Sequence, residues 1–250
     1  MKEIFSKQNK LIKDLKKQKR TNKFVLFLDN PKSITDAQVF GLTPKMLLID
    51  KEKQEKFSHL PLCENTVITN KEIIKELSDT VTPQGVVAVY DFVLPKLQQP
   101  KGNFLVLDGL QDAGNIGTLL RSALGANFTS VFLVDCAAVN NSKIIRSSMS
   151  AILRLNIHET TRAEFVKFVN KNNLMLASCD MNGQNIYTSS STLNSFGLVV
   201  GSEGAGVSEE LKNLCKLTFS IPMANNLESL NAAVAGSIIM FQIENQKKGS

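Results

Sequence analysis

The stretch Gly197–Met240 constrains this chain more than any other. It holds two apolar strand signals, Gly197–Val200 and Leu217–Ile221, and each runs into a loop of glycines or small polar residues that opens a helix. Loops at the carboxyl ends of parallel strands are where open α/β sheets bind ligands. Glycine in such a loop leaves backbone N–H groups open to a ligand. The same alternation fills the second half of the chain. Strand signals also fall at Phe104–Leu107, Val131–Val134 and Leu174–Ala177. Helix signals fall at Asn115–Leu124, Lys143–Leu153, Arg162–Asn170, Ser208–Leu214 and Ser229–Ile243. Alternation at this spacing predicts a mostly parallel sheet with helices on both faces.

The first ninety residues or so alternate on a smaller scale, an ordinary domain size. Strands are expected at Phe24–Leu28, Lys45–Ile49, Thr66–Thr69 and Gly85–Tyr90, with helices at Ser33–Phe40 and Glu72–Leu77. Pro31 suits the first turn of the former helix. Residues 93–103 carry Pro95, Pro100 and Gly102, the composition of an extended connector. The expected division is therefore a small α/β unit over 1–92, a linker over 93–103 and a larger α/β unit over 104–250.

Charge is unevenly spread along the 250 residues. The net charge is +6, yet residues 1–23 alone hold eight lysines and Arg20 against Glu3 and Asp14. The basicity is a patch, and Ile4, Leu11, Ile12 and Leu15 fall within it at helical spacings. An amphipathic basic helix that meets a polyanion, RNA above others, is the expectation. A hydrophobic fraction of 43% supports a packed core. No apolar run reaches the length of a membrane span, and the first residues lack the apolar centre of a signal peptide. A cytoplasmic setting is expected. A mitochondrial one is the alternative for a eukaryotic source, though one arginine among many lysines matches a presequence poorly. Cys63, Cys136, Cys179 and Cys215 form no close pair and read as free thiols in a reducing compartment. With only His59 and His158 beside them, no metal site is expected.

Three segments could carry chemistry. Asn115 opens a helix on which Gly117 and Arg121 share a face. Gly201-Ser-Glu-Gly-Ala-Gly206 places Glu203 inside a glycine loop, and Ser208, Glu209 and Glu210 suit the start of the next helix. The glycine order fails the dinucleotide fingerprint, no acidic residue stands about twenty positions on, and no Gly-Lys-Ser/Thr marks a phosphate loop. Ile221-Pro-Met, then Ser229-Leu-Asn231, leads into the last helix, with Ser229 read as its cap and Asn231 in its first turn.

Taken together and in this order, the segments resemble the motifs of the SpoU/TrmH family of RNA ribose 2′-O-methyltransferases, within the SPOUT superfamily. The match runs over nearly all of 104–245, and Lys143-Ile-Ile-Arg146 resembles the family's intervening basic segment. The N-terminal unit resembles the substrate-binding domain that often precedes it, similar to a ribosomal-protein fold. Ser150 and Asn225 stand where the family usually has glycine, and Ser202 where it usually has asparagine. The resemblance implies an α/β trefoil knot, a homodimer, and S-adenosylmethionine held by backbone groups of Gly201, Ile221 and Leu230. It implies a catalytic constellation of Asn115, Arg121, Glu203, Ser229 and Asn231, with Lys143 and Arg146 meeting RNA phosphates. Arginine rarely gives up its proton. Arg121 is therefore read as a cation that grips phosphate and steadies the developing oxyanion. Ribosomal RNA is the expected substrate. A transfer-RNA methyltransferase, or a non-catalytic RNA-binding or ribosome-assembly factor on the same fold, is the alternative.

Overall fold

The computed structural model describes all residues except 23, 62, 190–194, 226, 228, 249 and 250, and of residue 248 only the backbone. Lys23, part of the basic block, thus lies outside the described residues. The chain divides into two compact units, Met1–Val93 and Leu94–Ser250.

Unit one contains β1 (Lys2–Glu3), α1 (Lys10–Thr21), β2 (Val25–Leu28), α2 (Pro31–Val39), β3 (Met46–Asp50), β4 (Thr66–Thr69), α3 (Lys71–Leu77) and β5 (Val86–Asp91). The sheet order is β1-β4-β3-β5-β2. The pairs β1–β4 and β3–β4 are parallel, whereas β5 runs antiparallel to β3 and β2. Asparagine starts each helix: the side chains of Asn9, Asn30 and Asn70 accept from Leu11, Lys32 and Ile73 N–H, and Pro31 takes the first helical position. These caps satisfy backbone donors the helix cannot. Ile4, Ile12 and Leu15 are buried with Leu48, Ile74 and Val87 in one core. Ile4 precedes α1 and extends the strand β1, so it enters that core from the sheet edge and not from the helix.

Unit two contains β6 (Phe104–Asp108), α4 (Ala113–Gly125), β7 (Ser130–Val134), α5 (Ser142–Ser147), β8 (Asn156–Thr160), α6 (Arg162–Asn172), β9 (Leu176–Asn185), β10 (Gly197–Gly201), α7 (Glu209–Lys212), β11 (Cys215–Ser220) and α8 (Ala232–Lys248). All pairs in its sheet are parallel, in the order β11-β9-β10-β6-β7-β8. Every residue of β6, β7 and β10 is buried, as expected for strands covered on both faces. Phe104, Val106, Phe132 and Val199 pack with Phe165 and Val169 of α6 and Leu211 of α7. On the other face, Gly236 of α8 sits so close to Leu119 and Val200 that a Cβ would approach their side-chain carbons to 2.7 and 3.0 Å. The segment 94–103 carries no helix or strand; Leu97 packs on the core, and the buried His158 Nδ1 lies 3.2 Å from the Pro95 carbonyl oxygen.

Several bounds differ from the sequence reading. The helix expected over Lys143–Leu153 stops at Ser147, because Met149 and Ser150 take left-handed φ of 48° and 68°. Strand β8 has no counterpart among the expected strands, since Asn156-Ile-His-Glu-Thr160 shows little apolar alternation. Strand β9 extends into polar residues, and Gly183 lets it touch β11: a Cβ there would meet the Thr218 carbonyl oxygen at 2.5 Å.

Candidate active site

The three motif segments end at one place. Asp112 caps α4 by accepting from Asn115 N–H at 2.8 Å. That hydrogen bond, and after it the Lys143 ammonium 3.0 Å away, holds the Asp112 carboxyl below the usual carboxylate range. With Asp112 as the cap, the Asn115 side chain is released toward the glycine loop. Gly117 serves packing: a Cβ would fall 1.8 Å from Ser147 Oγ and 2.9 Å from the Ile144 carbonyl oxygen, so α5 lies directly against it.

The Gly201–Gly206 loop folds back on itself through reciprocal bonds between Ser202 and Gly206, of 3.1 and 2.9 Å. Gly201 has no room for a side chain; a Cβ would meet the Gly206 carbonyl carbon at 2.0 Å. Glu203 stands at the turn of this loop and is exposed. Ser208 takes the cap position of α7, yet its hydroxyl caps nothing and is buried without a partner among the described residues.

The last helix starts later than the sequence suggests. Asn231, not Ser229, caps α8: its Oδ1 accepts from Ala233 N–H at 2.9 Å and Val234 N–H at 3.2 Å. This fixes the amide's orientation, because an oxygen engaged by the helix leaves the NH2 group to point outward. That group donates to Asn115 Oδ1 at 3.1 Å. Asn115 in turn donates through Nδ2 to Glu203 Oε1. The α8 N-terminus thereby sets the direction of a chain running Asn231, Asn115, Glu203.

Beside this chain lies a cleft of about 450 Å³ lined by residues that include Gly201, Glu203, Ile221, Ser229, Leu230 and Asn231. The volume is that of a small-molecule site. Cys179, Asp180, Met181 and Met223 line it too; of these the sequence reading names only Met223, within the Ile221-Pro-Met motif, and gives none a role at the site. Cys179, Asp180 and Met181 lie midway along β9, beyond the strand expected over Leu174–Ala177, so the alternation gives no signal for them. Burial pushes the Cys179 thiol up to about 11, with the Asp180 charge adding to the effect, so no thiolate nucleophile stands here at neutral pH. Arg121 does not line the cleft. It is exposed on α4, next to Ser122, whose hydroxyl accepts from Ser237 of α8 at 2.7 Å. Among the described residues its side chain has no hydrogen-bond or ion-pair partner. Arg146 is exposed on α5, and Lys143 is engaged with Asp112. Among the described residues no group of three or more His, Cys, Asp or Glu could hold a metal ion, and no helix is long and apolar enough to cross a membrane.

An all-parallel α/β sheet whose loops meet around a small-molecule cleft defines a ligand-binding α/β domain. The chain belongs to the SpoU rRNA Methylase family, whose model matches residues 102–241. It is 27% identical over 249 residues to the 23S rRNA (guanosine(2553)-2′-O)-methyltransferase RlmP of Bacillus subtilis (strain 168), covering 97% of this chain and 99% of the relative. It is also 27% identical to the human mitochondrial rRNA methyltransferase 3, over 90% of this chain and 68% of that one. Among solved structures, the AdoMet-bound rRNA methyltransferase from Sinorhizobium meliloti superposes with TM-score 0.85 at 22% identity, covering 98% of this chain and 97% of that one. The α/β fold and the family read from the motifs are thus met.

Proposed function

We propose that this chain transfers the methyl group of S-adenosylmethionine to a ribose 2′-hydroxyl of ribosomal RNA. The observation that carries the reading is the directed chain Asn231, Asn115, Glu203 beside the cleft, in a member of an rRNA methylase family. A full-length relative named for 2′-O methylation of 23S rRNA favours ribosomal over transfer RNA.

The cleft suits this cofactor. Its lining includes the carboxylates Asp180 and Glu203 and, among the described residues, no lysine, arginine or histidine. That charge balance favours a net cationic ligand and disfavours a phosphate-bearing nucleotide. Ile221, Met223 and Leu230 offer apolar surface for an adenine ring, and the Leu230 N–H has no acceptor among the described residues. When bound, S-adenosylmethionine would supply an electrophilic methyl carbon to the ribose 2′-oxygen, and Gly201, Ile221 and Leu230 would hold it. The chain's own residues position the partners and hold charge. Glu203, oriented by Asn115, fixes one wall of the site. Ser229 and Asn231 fix the other; Arg121, which stands outside the cleft of its own protomer, is assigned the grip on phosphate and the support of the oxyanion across the proposed dimer.

The same reading includes a homodimer, a knotted C-terminal segment and a cytoplasmic setting. Val234 and Phe241 support the dimer, being exposed apolar residues seven apart on one face of α8, adjacent to the helix that bears Arg121. The path of α8 supports the knot: it leaves the edge strand β11 and returns to pack on β10 and α4 near the sheet centre. RNA docking falls to the first unit. There Lys10, Lys13, Lys17 and Arg20 form one exposed stripe of α1. In the second unit, Lys143 and Arg146 are assigned phosphate contacts of their own.

Calorimetric titration with S-adenosylmethionine, followed by ribose-methylation mapping of ribosomal RNA from cells lacking the protein, tests the proposal. The expected result is binding, and loss of one 2′-O-methyl mark. Absence of cofactor binding would favour the non-catalytic factor instead.

A further inference from the structure

Asp108 ends the central strand β6, and its side chain is 1% exposed. Its backbone pairs in register with Gly201, the first residue of the Glu203 loop. Its Oδ2 accepts from the N–H of Ser208, just past the end of that loop, at 2.7 Å. Its Oδ1 accepts from Nε and Nη2 of Arg162 at 3.2 and 2.9 Å. One residue therefore holds both feet of the loop, the first through the β-ladder and the second through a charge-assisted bond, which is stronger than a neutral one. Asp108 also begins the segment that leads through Asp112 to Asn115.

We infer that Asp108, kept paired by Arg162, is a positioning residue that holds Glu203 against Asn115. This rests on the methyl-transfer reading above. The carboxylate touches neither the cleft nor Glu203 and acts through the loop. Replacing it by asparagine leaves two donors, Ser208 N–H and the guanidinium, facing a side chain that can offer one acceptor and must turn its own NH2 toward the other. The second foot of the loop is then released while the β-ladder remains.

The test uses the full chain with S-adenosylmethionine and ribosomal RNA under single-turnover conditions. Asp108→Asn is expected to lower the transfer rate about ten-fold or more while cofactor affinity moves about three-fold or less. On a Glu203→Gln background the same substitution should cost less than about two-fold, because the residue it acts through is already altered. Arg162→Lys should keep more of the rate than Arg162→Leu. Equal losses on both backgrounds, or an unchanged rate, would overturn the proposal. Should Asp108→Asn fail to fold, Arg162→Leu on the two backgrounds gives the same comparison. Hydrogen exchange across residues 202–208 keeps the two readings apart. Faster exchange in Asp108→Asn is expected even if the wild-type chain moves no methyl group, a result that would sink the functional reading alone; unchanged exchange would sink the anchor.

Discussion

Asn231 illustrates how one side chain can join folding to chemistry. Its oxygen closes the N-terminus of α8, and its amide nitrogen then has a single direction left, toward Asn115. Asn115 passes that polarity to Glu203. Asn115→Asp removes the donor and sets a second carboxylate beside Glu203. A hydrogen bond to a charged group contributes roughly 1.5–3 kcal/mol, so turnover should fall by about ten- to a hundred-fold with cofactor affinity changing less. Adding Glu203→Gln should recover part of the rate, since the new amide can donate to the carboxylate introduced at position 115. Single-turnover methyl transfer checks both. The three residues were legible as motif positions, but their order of donation was not. Spacing along a chain says nothing of which amide face a helix terminus has already engaged. Asp108 was invisible for the same reason: at a strand end an aspartate reads as turn chemistry, and its partners lie 54 and 100 residues away.

The contact between α4 and α5 depends on a missing side chain. Gly117→Ala would drive a methyl group into Ser147 and the Ile144 carbonyl, so overpacking should destabilise unit two by about 1–3 kcal/mol. Denaturant unfolding of the variant measures this. In unit one, Glu76 of α3 receives Lys7 at 3.1 Å and Lys16 at 2.6 Å, and these bonds hold its carboxyl below the usual range. A carboxylate whose folded pKa is depressed contributes stability that is present above its unfolded value and lost as pH falls through the folded one. Glu76→Gln should therefore lower stability at neutral pH by up to about 1 kcal/mol, a partly exposed pair being worth little more. The gap should close in urea titrations as pH falls below the ordinary glutamate value of about 4.3. The existence of α1 followed from its apolar spacing and α2 from Pro31, whereas the break at Ser147 did not. Two consecutive non-glycine residues with positive φ are a tertiary choice that local propensity opposes.

At the level of the whole molecule, the pairing of Lys7 and Lys16 with Glu76 and of Lys19 with Asp79 leaves Lys10, Lys13, Lys17 and Arg20 to face outward. Changing Lys13 and Lys17 together to Gln should reduce the slope of log affinity for RNA against log salt by about 1.4–1.8, the release expected for two phosphate contacts. Filter binding across a salt series gives the slope. Phe241→Glu places a charge on the exposed apolar face of α8 and should turn the proposed dimer into a monomer by light scattering after gel filtration.

The sequence by itself determined the α/β alternation, the basic block, the glycine loops and the residue types at the site, because each is written in local spacing and composition. Only the tertiary structure decided that Asn231 caps α8 and points Asn115 at Glu203, that Arg121 stands outside the cleft, and that Asp108 holds the Glu203 loop at both feet. Those outcomes depend on groups far apart in the chain competing for the same donors and acceptors, a contest that is settled when the strands come into register.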